Sequence, residues 1–283
     1  SDVVATQLVF TTQPLPLTLT SGSQRDFTMD PVVTAQDANG VTDRGFGETV
    51  TLTQTGAGSG TFTNATATAS NGVATFTGLT LTYTATADGQ ILQLQANDED
   101  GSGSDLPTIN SSNLTSDVVA TQLVFTTQPS PLSGVSGQVL DFTTDPVVEA
   151  RDVNGVKDTD FTDTVTLSET GSGSATYANN SVVAVAGVAT FTGLTVTYTA
   201  SADGETFGLQ ADDTGGGGEG DLPTVTSSAI TSDVVATALV FTTQPGGAAN
   251  GLALTQQPVV SAQGANGVVD LDFAETVTLT ATP

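Results

Sequence analysis

Short blocks in which apolar and polar residues alternate recur along the whole chain. Leu8 and Phe10 share one face of the first block, and GETVTLTQ at 47–54 sets Val50 and Leu52 against outward threonines. An alternation with a period of two predicts half-buried β-strands. No stretch keeps the 3.6-residue period of an amphipathic helix. We therefore predict an all-β fold.

Turn signals separate these blocks. Asn39-Gly40, Asn71-Gly72 and Asp88-Gly89 are pairs of residue types that suit tight turns. The glycine-rich stretch 56–60 predicts a loop. The inward positions of the first copy of the pattern define a predicted core, which consists of Leu8, Phe10, Val33, Val50, Leu52, Phe76, Leu79, Tyr83, Ile91 and Leu94.

Three near copies of one block divide the chain. SDVVATQLVFTTQP occupies 1–14, recurs at 116–129 and returns with one substitution at 232–245. The copies start at 1, 116 and 232, so the repeat is about 115 residues long. That length fits one β-sandwich of seven or more strands. We predict domains at 1–117, 118–233 and 234–283. The third copy stops about halfway through its pattern, so we expect the parent chain to continue.

The linker between the copies is short. The last predicted strand of one copy leads into the first strand of the next through TSDVVAT at 115–121. It contains no Gly/Ser-rich or Pro-rich spacer. A short linker limits bending between neighbouring domains, so we expect a stiff arrangement.

Four blocks together resemble the bacterial immunoglobulin-like repeats of large cell-surface adhesins and filament proteins. They are LVFTTQP at 8–14, VVTAQDANG at 32–40, ETVTLT at 48–53 and NGVATFTGL at 71–79. The resemblance implies tandem immunoglobulin-like β-sandwich repeats arranged end to end. It also implies an extracellular location, at the cell surface or in a secreted filament, and a role as spacer, stalk or filament shaft. It implies no catalytic site.

Several catalytic residue types are absent from the chain. It contains no His and no Cys, which excludes a Ser-His-Asp triad, disulfides and a plausible zinc site. A carboxylate pair for glycoside hydrolysis would need an aromatic-lined cleft for the sugar. Aromatic residues make up only 5% of this chain. We therefore expect no enzymatic activity.

The charge is strongly negative. Thirty acidic residues and four basic residues give a net charge of −26. Such a chain is repelled by nucleic-acid phosphates and by anionic membrane surfaces, so we expect neither nucleic-acid binding nor membrane insertion. The same charge favours solubility and attracts divalent cations. Calcium is the one cofactor that this composition suggests.

The first candidate calcium loop is DANGVTD at 37–43, with a copy at 152–158. Its alternative interpretation is an Asn-Gly turn in which the aspartate caps the backbone. In the third copy the first aspartate is replaced by Gly264, which argues against a ligand at that position. The candidate ligands are Asp37, Asn39 and Asp43, and their counterparts Asp152, Asn154 and Asp158.

The second candidate loop is NDEDGSGSD at 97–105, with a counterpart at 212–221. Carboxylates that lie this close together repel one another unless they are solvated or share a cation. The alternative interpretation is a solvated loop. The candidate ligands are Asp98, Asp100 and Asp105, and Asp212, Asp213 and Asp221. Asp2, Asp117 and Asp233 of the linkers are possible further contributors.

Three functions remain open at this point. The first is a structural spacer, whose partners are the neighbouring repeats of the same chain. The second is an adhesin module that binds carbohydrate or another cell-surface ligand. The third is a fibre subunit that joins other copies by strand complementation. Close similarity between the copies favours the spacer, because a binding module should carry an exposed feature in one copy only.

Overall fold

The computed structural model describes residues 2–98, 105–213, 220–247 and 249–281. It falls into two compact units. Unit 1 consists of Ser1–Thr121 and Arg151–Phe161, and unit 2 consists of Gln122–Ala150 and Thr162–Pro283. All the regular structure in the described residues is β-strand, which confirms the predicted all-β class. These residues include no helix that is long and apolar enough to cross a membrane.

The described part of unit 1 contains twelve short strands, as the many turn signals predict. They are β1 (Gln7–Thr12), β2 (Thr18–Thr20), β3 (Gln24–Asp26), β4 (Val32–Gln36), β5 (Thr49–Thr55), β6 (Ser59–Thr63), β7 (Thr66–Thr68), β8 (Val73–Thr75), β9 (Thr80–Thr84), β10 (Gln90–Asn97), β11 (Ile109–Asn110) and β12 (Leu114–Asp117).

These strands form two layers. One layer has the orders β1-β4-β8 and β3-β9-β6, and the other has the order β2-β12-β10-β5-β7. If β3 and β4 are taken as one interrupted strand, and β8 and β9 as another, the layers follow the ABED and CFG orders of an immunoglobulin sandwich. The short strand β2 pairs with β12 in parallel, through Leu19 and Ser116.

Unit 2 repeats this arrangement. Its strands are β13 (Gln122–Thr127), β14 (Ser133–Val135), β15 (Val139–Asp141), β16 (Val147–Arg151), β17 (Thr164–Glu169), β18 (Ser174–Ala178), β19 (Ser181–Val183), β20 (Val188–Thr190), β21 (Thr195–Thr199), β22 (Glu205–Phe207), β23 (Leu209–Asp213), β24 (Val225–Thr226), β25 (Ile230–Asp233), β26 (Ala238–Thr243) and β27 (Val259–Gln263). The sheet orders are β13-β16-β20, β15-β21-β18, β14-β25-β22 and β19-β17-β23-β24.

The strands β26 and β27 pair in the register that β1 and β4 use. Both pairs shift register at the same point, between Phe10 and Thr12 in the first and between Phe241 and Thr243 in the second. Their burial differs, since Phe10 is 8% exposed and Phe241 is 43% exposed.

The predicted core of the first copy is confirmed at all but one position. Leu8, Phe10, Val33, Val50, Leu52, Phe76, Leu79, Tyr83 and Leu94 are buried. Ile91 is 57% exposed, so its assignment to the core was wrong. The phase of β10 is set by Leu92, Leu94 and Ala96, which all point inward, and this turns Ile91 to solvent.

The predicted loop at 56–60 is also partly wrong, because β6 begins at Ser59. Close packing against β9 requires glycine at position 58. A Cβ atom there would collide with the carbonyl oxygen of Thr84 and with the ring of Tyr83. By contrast, the predicted turn at Asn71-Gly72 is confirmed, with φ values of 53° and 83°.

Candidate functional site

The Asx turns of the first candidate loop use their leading carboxylates to hold the backbone. Asp37 Oδ1 accepts hydrogen bonds from the N–H groups of Asn39, at 2.9 Å, and Val41, at 2.8 Å. Asp152 makes the same two bonds to Asn154 and Val156. The hydrogen bond from Val41 lowers the pKa of Asp37. These contacts are those of a capped turn.

The last aspartate of this loop makes different contacts. Asp43 Oδ2 accepts the N–H of Ala5 at 2.9 Å, and its Oδ1 accepts the N–H of Gly45. Asp158, at the equivalent position, is fully buried and accepts the N–H of Ala120 at 2.7 Å. Burial raises the pKa of Asp158 to about 7, and the neighbouring Asp160 adds to this increase.

Asp158 belongs to a carboxylate group within unit 1. One oxygen from each of Asp88, Asp158 and Asp160 lies within 4.8 Å of the others. Asp88 accepts the N–H of Val118 at 2.8 Å and the N–H of Thr159 at 3.0 Å. Burial alone would raise the pKa of Asp88, but hydrogen bonds, chiefly from the Thr159 hydroxyl, outweigh burial and lower it.

The same group occurs in unit 2. Asp203, Asp270 and Asp272 replace Asp88, Asp158 and Asp160. Asp203 accepts the N–H groups of Val234 and Leu271, each at 2.8 Å. Asp270 Oδ2 accepts the N–H of Ala236 at 2.8 Å. Each unit therefore contains the same backbone-to-carboxylate network, built on residues about 70 positions apart in the sequence.

The second candidate loop brings three predicted ligands together in unit 2. Asp212, Asp213 and Asp221 each place one carboxylate oxygen within 4.8 Å of the other two. Asp212 and Asp213 end β23, which is fixed by antiparallel pairing with Thr166 and Val165 of β17. Asp221 lies just before Leu222, whose N–H donates to Asp213 Oδ1 at 2.9 Å.

Asp213 is the buried member of this group. Its side chain is 1% exposed, whereas Asp212 and Asp221 are exposed. Burial raises the pKa of Asp213, and the charges of Asp221 and Asp163 raise it further. Chemically, the three side chains offer hard oxygen ligands of the kind that Ca²⁺ prefers.

The first copy of this loop holds Asp98 and Asp105. Asp98 is fully buried, and both of its oxygens lie within range of the N–H of Leu106, at 3.1 and 3.2 Å. Asn97 occupies the position of Asp212. Asp100, the remaining predicted ligand, lies outside the described residues.

Sequence analysis named Asp88 only as a turn residue, and it did not single out Asp160, Asp203, Asp270 or Asp272. A signal for them existed in the repeats themselves. The turn sequence ADG recurs at 87–89 and 202–204, and an Asp-x-Asp pair recurs at 158–160 and 270–272. The first copy has Gly45 in place of the second aspartate of that pair.

No protein-family model matches the chain, and no curated protein matches its sequence. Among solved structures, it is similar to the FN1–FN3 domains of chicken CNTN1, at 8% identity over 90% of this chain and 84% of that one, with a TM-score of 0.37. It is also similar to immunoglobulin domains 1–5 of Sidekick-1, at 15% identity over 92% of this chain and 46% of that one, with a TM-score of 0.26.

A third similar structure is a glycosyl hydrolase family 2 member from Bacteroides cellulosilyticus. The identity is 16% and the TM-score is 0.30. The match covers 75% of this chain but only 23% of the hydrolase. Identities and TM-scores this low carry no information about activity, substrate or partner.

Proposed function

We propose that the chain is a non-catalytic structural segment of a large extracellular surface protein. In this proposal, immunoglobulin-like repeats of about 115 residues, the spacing at which the SDVVAT block recurs, follow one another as a stiff spacer, stalk or filament shaft for adhesion. Its immediate partners are the neighbouring repeats of the same chain.

One observation carries this proposal, namely the carboxylate network that both units share. Asp88 accepts the N–H groups of Val118 and Thr159, and Asp203 accepts those of Val234 and Leu271. In each network one acceptor comes from the turn of one sequence repeat, and a donor comes from the next repeat. Asp88 and Asp203 are only half-buried, so each of these bonds contributes less than the about 1.5–3 kcal/mol typical of hydrogen bonds to charged groups. A spacer needs contacts of this kind at every junction, whereas a ligand site needs them at one.

The experiment measures how tightly two consecutive repeats hold a fixed geometry. The chain contains no Cys, so single cysteines at the exposed positions Thr53 and Ser168 allow specific spin labelling. These positions are equivalent in the two copies. We expect double electron–electron resonance to give one narrow distance distribution.

Asp88→Ala should broaden this distribution, because it removes the acceptor for both N–H groups. Asp26→Ala changes an exposed aspartate of β3 and serves as the matched control, which should leave the distribution narrow. A broad distribution in the otherwise unaltered labelled chain would remove the stiff-spacer proposal.

A further inference from the structure

We propose that Asp212, Asp213 and Asp221 bind one Ca²⁺ ion at the end of β23. This inference goes beyond the proposed structural role and does not depend on it. It rests on a buried oxygen atom without a partner among the described residues, on the spacing of three carboxylates and on the excess of negative charge around them.

The buried oxygen is Oδ2 of Asp213. The side chain is 1% exposed, and its Oδ1 accepts the N–H of Leu222 at 2.9 Å. Oδ2 is shielded from solvent and has no hydrogen-bond partner in the part of the chain that the structure describes. A buried carboxylate oxygen without a donor is costly, because neither water nor protein replaces its lost hydration. A bound cation would supply the missing interaction.

The spacing of the oxygens fits a single ion of the size of Ca²⁺. One oxygen from each of the three aspartates lies within 4.8 Å of the others. Calcium holds oxygen ligands at about 2.3–2.6 Å, so two ligands on opposite sides of one ion are about 4.6–5.2 Å apart. One Ca²⁺ can therefore contact all three carboxylates.

The arrangement also leaves room for further ligands. Asp212 and Asp221 are exposed, so the group opens to solvent on their side. Water can complete the six to eight ligands that Ca²⁺ accepts. Magnesium requires a near-ideal octahedron at about 2.0–2.1 Å and gives up its water reluctantly, so it suits a group of this spread less well.

The charge distribution gives a third argument. Thirty acidic residues of the chain are accompanied by only four basic ones, Arg25, Arg44, Arg151 and Lys157. Asp163 adds a further negative charge beside Asp213. A divalent cation from solution would offset this local excess of negative charge.

The test follows amide hydrogen exchange by NMR in the full chain, with Leu222 as the reporter because its N–H donates to Asp213. We expect Ca²⁺ to bind with a Kd between roughly 10 µM and 1 mM, as at other solvent-open calcium sites. At a Ca²⁺ concentration 100 times Kd, exchange that requires opening of the site should slow by up to about 100-fold.

Three variants and two salts make the result decisive. Asp213→Asn and Asp221→Asn should each abolish the Ca²⁺-dependent protection of Leu222, and Asp221 is exposed, so its replacement leaves the core intact. Asp141→Asn, at an exposed aspartate of β15, should retain that protection. NaCl and MgCl₂ at equal ionic strength should not reproduce it.

Equal protection by NaCl would show general screening and overturn the proposal. Equal protection by MgCl₂ would overturn the calcium assignment. Protection that survives in Asp221→Asn would remove these carboxylates as the ligands.

Discussion

The two full copies of the repeat share their core but differ in the charge around it. Phe76 and Phe191 occupy equivalent positions, and both are buried. Tyr83 and Tyr198 form a second equivalent pair, with exposures of 0% and 3%. Nearby polar positions differ, because Gln90 of the first copy is replaced by Glu205. The comparison teaches that an apolar interior tolerates little variation, whereas the rim around it accepts additional carboxylates.

The tyrosines show the consequence of one such replacement. The hydroxyl oxygen of Tyr83 accepts the N–H of Gly58 at 3.0 Å. In the second copy, Tyr198 accepts the N–H of Gly173 at 2.8 Å and also donates to Glu205 Oε1 at 2.7 Å. Burial and the bond to Glu205 raise the pKa of Tyr198 to about 12.

The largest effect is expected where the two copies agree. Phe76→Ala and Phe191→Ala should each reduce the free energy of unfolding of their own repeat by about 3–5 kcal/mol, because each removes a fully buried ring. Site-resolved hydrogen exchange during denaturant titration measures the two repeats separately. Ile91→Ala, at an exposed position of β10, is the control and should change stability by less than ~0.5 kcal/mol. A loss below ~1 kcal/mol for either phenylalanine would contradict the shared core.

A smaller loss of stability is expected from replacing the tyrosines, and the loss should differ between the two copies. Tyr198→Phe removes two hydrogen bonds, one of them to a carboxylate, and should destabilise the second repeat by about 2–3 kcal/mol. Tyr83→Phe removes one neutral bond and should cost about 1 kcal/mol. The same exchange experiment measures both variants, and equal losses would mean that Glu205 contributes nothing through this bond.

Acid should weaken the second repeat through Glu205. Burial alone would raise the pKa of this carboxyl, but hydrogen bonds from Tyr198 and Ser201 outweigh burial and lower the pKa to about 2. A folded-state pKa below the ordinary value stabilises the fold above about pH 4.5, and this contribution is lost as the pH falls toward 2.

We expect a loss of about 1 kcal/mol over that range, after allowance for screening by solvent. Glu205→Gln copies the first repeat and should remove this part of the pH dependence. Exchange measured from pH 5 to pH 2.5 checks the difference between the unaltered chain and the variant. An unchanged pH profile in the variant would assign the acid sensitivity to other carboxyls.

The smallest expected effect extends the calcium proposal from the second copy to the equivalent loop of the first. Asn97→Asp gives this loop the carboxylate that Asp212 supplies in the second copy. Additional ligand charge increases calcium affinity, so Ca²⁺-dependent protection of Leu106 should rise by less than about tenfold. NMR exchange at Leu106, whose N–H bonds Asp98, reports this change. Unchanged Ca²⁺-dependent protection of Leu106 would show that position 97 lies outside any ligand set.

Sequence reasoning succeeded where the determining signal was local. Alternation predicted the inward face at Val50 and Leu52, and both residues are buried. The candidate ligands Asp212, Asp213 and Asp221 lie close together, and their binding of calcium stays a prediction. It failed at Ile91, where two neighbouring apolar residues left the strand phase open. The second copy resolves that ambiguity, since Thr206 and Phe207 stand in place of Ile91 and Leu92.

The networks around Asp88 and Asp203 were missed for a different reason. Their donors Thr159 and Leu271 lie about 70 residues away, and only the folded chain brings the groups together. Composition identifies an excess of carboxylates, but it does not say which of them cap a turn, as Asp37 does, and which hold a distant segment.

The parallel pairing of β2 with β12 has a mechanical consequence. Tension applied along the chain pulls β2 and β12 in opposite directions along their common axis, because the two strands run the same way. The hydrogen bonds between the two strands near Leu19 and Ser116 are then loaded together in shear. The strands therefore do not separate one bond at a time from an end. β14 and β25 are paired in parallel in the same manner, so each full repeat contains its own shear clamp against an applied force.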